Sequence, residues 1–364
     1  MTVNDNTTAT ATGPDPAARF AYLSYLRVLA ITAVVGTHVS GLTVKLAAPE
    51  GSAPWWTAVA LLNATTWAVP VFVMISGALL LGPSREGAGE FYRRRLRRIA
   101  IPLVVWHLFY IAFSWLVLGR DLSLPRIVLG LVKAQTYTAL YFFWLILGLY
   151  LLTPLLRGFL AQASRRDQWW MTAVITAGCL AYKPLQYTLG YFGQGNAEAL
   201  NALTYCVPYL GFYLLGYLLR DVVLPRRWLP VAALGVLAVL AECSWQYAHL
   251  KQYPLLGAVL PVNTLGLLPA ASAVLVFLLA RGLLPPTSRW ARPPHAARWR
   301  YLGDLTLGVF VLHLAVLRGL QELPGWERGA GTVGGLFLLL SSTVLLSFGL
   351  SALLRLVKPL RRAL

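Results

Sequence analysis

Leu26-Arg27-Val28-Leu29-Ala30-Ile31-Thr32-Ala33-Val34-Val35-Gly36-Thr37-His38 is a hydrophobic stretch broken only by one guanidinium and one imidazole. Ionisable groups are expensive in hydrocarbon, so each one inside an apolar helix is a candidate functional group. On a helix, eleven residues turn through about 1100°, roughly 20° past three full turns. Arg27 and His38 therefore share one face, about 16 Å apart along the axis. That spacing suits a buried cleft crossing half a bilayer, with a cation near one side and an imidazole deeper in.

The rest of the chain is of the same kind. Of its 364 residues, 58% are hydrophobic and 12% charged, about half the charge of soluble domains. Apolar stretches of roughly 20 residues recur, enough to span a ~30 Å hydrocarbon core. The pattern predicts an all-α polytopic membrane helical bundle; a β-barrel would show short alternating segments. About ten transmembrane helices are expected, over 20–42, 56–81, 99–119, 140–160, 168–190, 201–220, 229–248, 257–281, 302–320 and 333–356. The Lys183-Pro184 pair marks the fifth as kinked or short.

The net charge of +18 invites a nucleic-acid reading. The positive-inside rule accounts for it better. With both termini cytoplasmic, 23 of the 31 Lys and Arg fall on the inner side. The expected partner is a lipid bilayer, with no nucleic acid. Residues 1–19 read as a disordered cytoplasmic tail, 20–357 as one transmembrane domain and 358–364 as a second cytoplasmic tail. No cleavable signal peptide is expected. Cys179, Cys206 and Cys243 have no metal-ligand spacing and read as small buried residues. No internal repeat of the kind many transporters carry is apparent. Arg outnumbers Lys 26 to 5, a compositional hint of a high-GC bacterial genome.

Several groups have the chemistry for a site. A neutral imidazole takes a proton from a hydroxyl near pH 7, so His38 is a candidate general base; a polar contact between helices is its plainer role. In Arg93-Arg94-Arg95-Leu96-Arg97-Arg98, Arg95 and Arg98 stand three apart on one helix face. Beyond fixing topology, such a pair can clamp a polyphosphate, because guanidinium forks match phosphate geometry. No Gly-rich phosphate loop competes for that role. Val69-Pro70 to Ser76-Gly77 predicts a bent, tightly packed helix. Tyr141-Phe142-Phe143-Trp144 reads first as an interfacial belt, with the lining of a sugar or acyl site as the alternative. Glu242, inside an apolar span, either pairs with an imidazole or Arg across the bundle or sits in water at the boundary. His313 is a second intramembrane imidazole, with a structural role favoured, and His107 a core polar contact. His249 and His295 read as loop residues. No His/Asp/Glu spacing suggests a metal.

In order, these segments resemble the integral-membrane acyltransferase 3 family, from about Tyr22 to about Leu356. Arg27 and His38 match its Arg-x10-His element. Pro70, Phe72, Ser76 and Gly77 match its Pro-x-Phe-Phe-x-x-Ser-Gly element, with Val73 for the second aromatic. Arg95 and Arg98, ahead of Pro102, match Arg-x-x-Arg. Trp144 and the Tyr150–Pro154 run match a Trp-Phe and Tyr-Leu-x-x-Pro element. Leu302 to His313 match a late Leu-Gly-x-x-Ser/Thr-x-Gly-x-Tyr-x-x-His element, with Phe310 in place of Tyr. The Asn63–Gly82 segment looks most like the branch that O-acetylates a surface polysaccharide, as a stand-alone unit without an appended hydrolase-like domain.

The resemblance implies a multi-pass enzyme of a bacterial cell membrane. It would move an acyl group, usually acetyl, from cytoplasmic acyl-CoA to a hydroxyl of a carbohydrate, glycolipid or glycosylated acceptor. It implies acetyl-CoA or another acyl-CoA as donor and no metal. His38 and Arg27 would be catalytic and Arg95 and Arg98 would bind acyl-CoA. Ser76, Trp144, Glu242 and His313 are supporting candidates. A transporter or flippase of an amphipathic substrate is the alternative that ten apolar helices with buried charges also allow.

Overall fold

The computed structural model describes residues 16–194 and 200–364. Most of the expected 1–19 tail lies outside the described residues. Those described form helices and turns, with no strand among them. The principal helices are α1 (Ala21–Leu42), α2 (Ala53–Ala64), α3 (Ala68–Leu80), α4 (Ala88–Leu116), α5 (Tyr141–Gln162), α6 (Arg165–Tyr191), α7 (Leu210–Leu219), α8 (Leu229–His249), α9 (Leu267–Leu283), α10 (His295–Gln321) and α11 (Val333–Leu354).

Among the described residues, seven segments are long and apolar enough to cross a membrane, α2 and α3 counting as one. Val207–Leu219 and Leu267–Leu283 are apolar but shorter. All ten stretches marked in the sequence carry helix, and the all-α polytopic membrane bundle is observed.

The boundaries differ for physical reasons. α4 begins at Ala88, not near residue 99, because arginines are good helix formers and the basic run is its first turns. The 56–81 stretch is broken at Thr65–Trp67, where the Thr65 and Thr66 hydroxyls donate to the carbonyls of Leu62 and Asn63. The 257–281 stretch splits, because Leu260–Gly266 leaves the helix before α9. Pro184 does not end α6, which runs through it as one 27-residue helix. At the start of α6, the Ser164 hydroxyl accepts from the Asp167 amide at 3.2 Å, a side-chain N-cap. His249 and His295 are helix-terminal rather than loop residues.

The core is built on close approaches. α3 and α7 pack so tightly that a Cβ on Gly77 would meet the Tyr213 carbonyl, and one on Gly216 the backbone of Met74. Small residues permit this approach, which gives dispersion contact without a hydrophobic driving force between helices. α1 packs against α3 and α10, and α10 against α11, while α8 and α9 form a flanking pair. Near the C-terminus, Leu360–Arg362 is a single 3-10 turn, and the Trp106 indole donates to the Ala363 carbonyl at 2.8 Å.

At the end of the bundle where α1 begins, Arg19 pairs with Asp221 at 2.7 Å, and Arg281 donates to the Arg19 carbonyl at 3.2 Å. Partial burial pushes the Asp221 carboxyl up, but the hydrogen bond and charge of Arg19, joined by Arg220, outweigh it and hold the group below the usual carboxylate range. A depressed carboxyl stabilises the fold above its unfolded pKa and loses that contribution as pH falls through the folded one. Both partners are more than a third exposed, so the pair contributes under about 1 kcal/mol. Asp221→Asn is expected to lower the unfolding midpoint slightly at pH 7. Thermal unfolding of the two proteins should converge below about pH 4.

Candidate functional site

A cavity of about 310 Å³ lies between α1, α3, α4, α5 and α10. Arg27 from α1, Ser76 from α3, and Arg95 and Arg98 from α4 line it, with Tyr150 from α5 and Thr306 and Phe310 from α10. Four candidates spread over 72 positions of sequence thus share one cavity.

The packing of α4 makes the selection. Arg95 and Arg98 stand on the cavity face of α4, whereas Arg93, Arg94 and Arg97 are exposed and do not line it. Arg94 is taken by Glu86 at 2.6 Å. The Arg95 guanidinium lies 5.8 Å from the Phe91 ring centre and 5.9 Å from that of Tyr150. Its Nε is buried without a hydrogen-bond partner. A buried N–H left free costs energy, so it is a donor held ready for something. Arg98 is exposed, at the open margin. Ser76 donates to the Phe72 carbonyl at 3.0 Å, and its oxygen can still accept.

His38 does not line this cavity. Val34, one turn before it on α1, does. His38 instead faces His313, with ring centres 5.2 Å apart and planes tilted by 41°. His313 is fully buried. Its Nδ1 lies 2.7 Å from the Phe310 carbonyl and 3.2 Å from that of Val309. Carbonyl oxygens only accept, so Nδ1 carries the proton and Nε2 is a bare acceptor. That Nε2 is buried and unpartnered. Phe310 stands between the cavity and this pair, its ring 5.1 Å from Phe142, 6.0 Å from Phe143 and 6.1 Å from His313.

Two candidates lie elsewhere. The Trp144 indole donates to His107 Nε2 at 3.2 Å, outside the cavity wall. His107 in turn donates through Nδ1 to the Leu103 carbonyl at 2.7 Å. Its imidazole is thus fully engaged as a core contact. Glu242 is exposed on α8 and accepts from Gln246 at 3.1 Å, forming no pair with an imidazole or an arginine. Among the described residues no cluster of three or more His, Cys, Asp or Glu side chains is placed to hold a metal.

For Phe142 and Phe143 the sequence favoured an interfacial belt over the lining of a sugar or acyl site, and it assigned Tyr150 no role. All three line the cavity. The seven-residue step from Phe143 to Tyr150 closes to within about 20° of two helical turns, which was the available signal.

Comparison with known proteins completes the picture. The model of the acyltransferase domain of the acyltransferase 3 family matches residues 20–352. No curated protein and no solved structure matches the chain. The match runs from the start of α1 almost to the end of α11 and takes in the whole cavity, and the chain therefore belongs to the acyltransferase 3 family of membrane acyltransferases.

Proposed function

We propose that this protein is an O-acyltransferase that moves an acyl group, acetyl in the first instance, from cytoplasmic acyl-CoA to a hydroxyl of a sugar, glycan or glycolipid, in a bacterial cell membrane. The observation that carries the proposal is convergence. Three arginines from two helices meet on one cavity, and its far end lies one helical turn from His38 on α1.

The cavity is small by the standard of ligand pockets, about 300–1,000 Å³. It suits the acyl-pantetheine end of the donor, with the nucleotide at the mouth. Arg98, exposed at the margin, and Arg95, with a free buried donor, suit phosphate oxygens. Arg27 is deeper, where charge on a thioester carbonyl oxygen would need stabilising. In the direct route the acceptor oxygen attacks the thioester carbon, a C–O bond forms and the C–S bond breaks. The hydroxyl proton passes to His38 and then to the departing thiolate. In the alternative route His38 itself carries the acyl group between two such transfers. His313 is a supporting residue in both. Its ring centre lies 5.2 Å from that of His38, and its unpartnered Nε2 is an acceptor available beside the base.

The test is acyl-CoA-dependent thiol release by the purified protein in lipid, with and without glycan acceptors. Arg95→Ala combined with Arg98→Ala is expected to raise the KM for acyl-CoA at least about tenfold, the loss of one or two charge-assisted hydrogen bonds, with a smaller effect on the acceptor. Wild-type protein that binds no acyl-CoA would leave the arginine pair a purely topogenic role and favour the transporter reading.

A further inference from the structure

Resting on the acyl-transfer reading, the geometry points to an acceptor site on the opposite end of the bundle: a polar cup that binds one pyranose ring of a glycan. The cup has a volume of about 300 Å³ and is walled by Arg120, Gln135, Thr136, Tyr137, Tyr141 and Tyr205. It lies beyond the end of α4 and at the first residue of α5, whereas Arg95 and Arg98 stand near the start of α4. The donor cavity and the cup are therefore separated along the bundle axis.

Four observations give the cup the character of a binding site. First, the Thr136 hydroxyl is buried without a partner, although a hydroxyl is seldom left so. Second, Ala134 beneath it is 2% exposed and sits at φ +52°. A non-glycine residue held in the left-handed region costs energy and persists only where its surroundings impose it. Here it turns the chain so that Gln135 and Thr136 face the cup. Third, the walls pair aromatic faces with polar groups. The Tyr141 and Tyr205 rings lie 5.1 Å apart, and Tyr137 is stacked at 4.1 Å on Tyr110. Fourth, the walls carry one cation, Arg120, and no acidic group.

That composition selects the ligand. A pyranose offers an apolar C–H face and a fringe of hydroxyls. The tyrosine rings match the first, and Gln135, Thr136 and Arg120 match the second. A cationic ligand would find no carboxylate. A bare alkyl chain would strand the amide and the hydroxyl without partners.

The cup is linked to the proposed chemistry through the walls of the bundle. Tyr141 precedes Phe142, which lines the donor cavity and packs on Phe310. Tyr110, under Tyr137, donates to the Val311 carbonyl at 2.7 Å, two residues before His313. A sugar in the cup would have the first turn of α5 between it and the donor cavity, with the His38–His313 pair beyond Phe310.

The experiment uses full-length protein in lipid nanodiscs and a panel of methyl α- and β-pyranosides as probes, followed by saturation-transfer NMR and by thiol release from acetyl-CoA. At least one pyranoside is expected to receive saturation at its ring C–H protons and to stimulate release. Gln135→Ala and Tyr205→Ala should each raise that pyranoside's KM at least fivefold while acetyl-CoA affinity stays at the wild-type value, which also reports an intact fold. Thr136→Val, which removes only the hydroxyl, should act in the same direction. Pyranoside KM values unchanged in all three variants, or no saturation of any pyranoside by wild type, overturn the cup while leaving the donor reading standing. Failure of wild type to bind acetyl-CoA overturns the donor reading instead. A lipid-linked sugar that shows the same KM shifts as the free pyranoside supports the cup.

Discussion

His38→Ala is expected to lower acyl transfer by about 10²–10⁴-fold, the usual contribution of a positioned general base, with acyl-CoA affinity nearly unchanged. The two effects separate because His38 is not on the wall that holds Arg27, Arg95 and Arg98. Among the described residues its ring contact is with His313, and it makes no hydrogen bond that would mark it as a structural strut. The informative comparison is His107→Asn. His107 already donates to Leu103 and accepts from Trp144, so its replacement should cost stability and leave turnover per folded molecule near wild type. Steady-state thiol release on both variants, normalised to folded protein, decides the matter. Undiminished turnover in His38→Ala would remove the residue from the mechanism.

Gly216→Ala and Gly178→Ala are expected to act in opposite directions. A Cβ at Gly216 would run into the carbonyl and Cα of Met74. Backbone on a packed helix cannot step aside as a side chain can. The cost should exceed the ~1–3 kcal/mol of ordinary overpacking, and little folded protein should be recovered in detergent. Gly178 lies in α6 with nothing within 4 Å of its would-be Cβ. There the substitution removes only the conformational freedom of glycine and should stabilise by about 0.5–1 kcal/mol. Size-exclusion profiles and thermal midpoints of the two variants give the comparison. A monodisperse Gly216→Ala protein with the wild-type midpoint would mean that α3 and α7 are not clasped as described.

Much of this was legible in the sequence, because lipid imposes a simple pattern. Apolar runs of spanning length mark helices whatever they pack against. The three-residue step between Arg95 and Arg98 was legible but not unique, since Arg94 and Arg97 repeat it; the resemblance to the family's Arg-x-x-Arg element singled the pair out, and both line the cavity. The eleven-residue step from Arg27 to His38 does lie within one helix, but only Arg27 lines the cavity. That the cavity ends at Val34 was not legible, because the closure comes from Phe310, 272 positions beyond His38. The approach of His38 to His313 depends on how α1 meets α10, which no local period encodes. For Glu242 the sequence left two roles open, a pair across the bundle or a place at the boundary. Its side chain is on the exposed face of α8 with Gln246 as its hydrogen-bond partner, and only the packing of α8 could tell the two apart. Arginine-rich turns were left out of α4 because a hydropathy window registers their charge and misses their helix propensity.

The packing of Phe142 against Phe310 has an electrical consequence. Neither benzyl side chain carries an atom that can accept or release a proton, and their ring centres stand 5.1 Å apart. Charge therefore cannot hop through this pair of rings, and a proton that leaves the cavity for His38 has to travel beside them rather than through them.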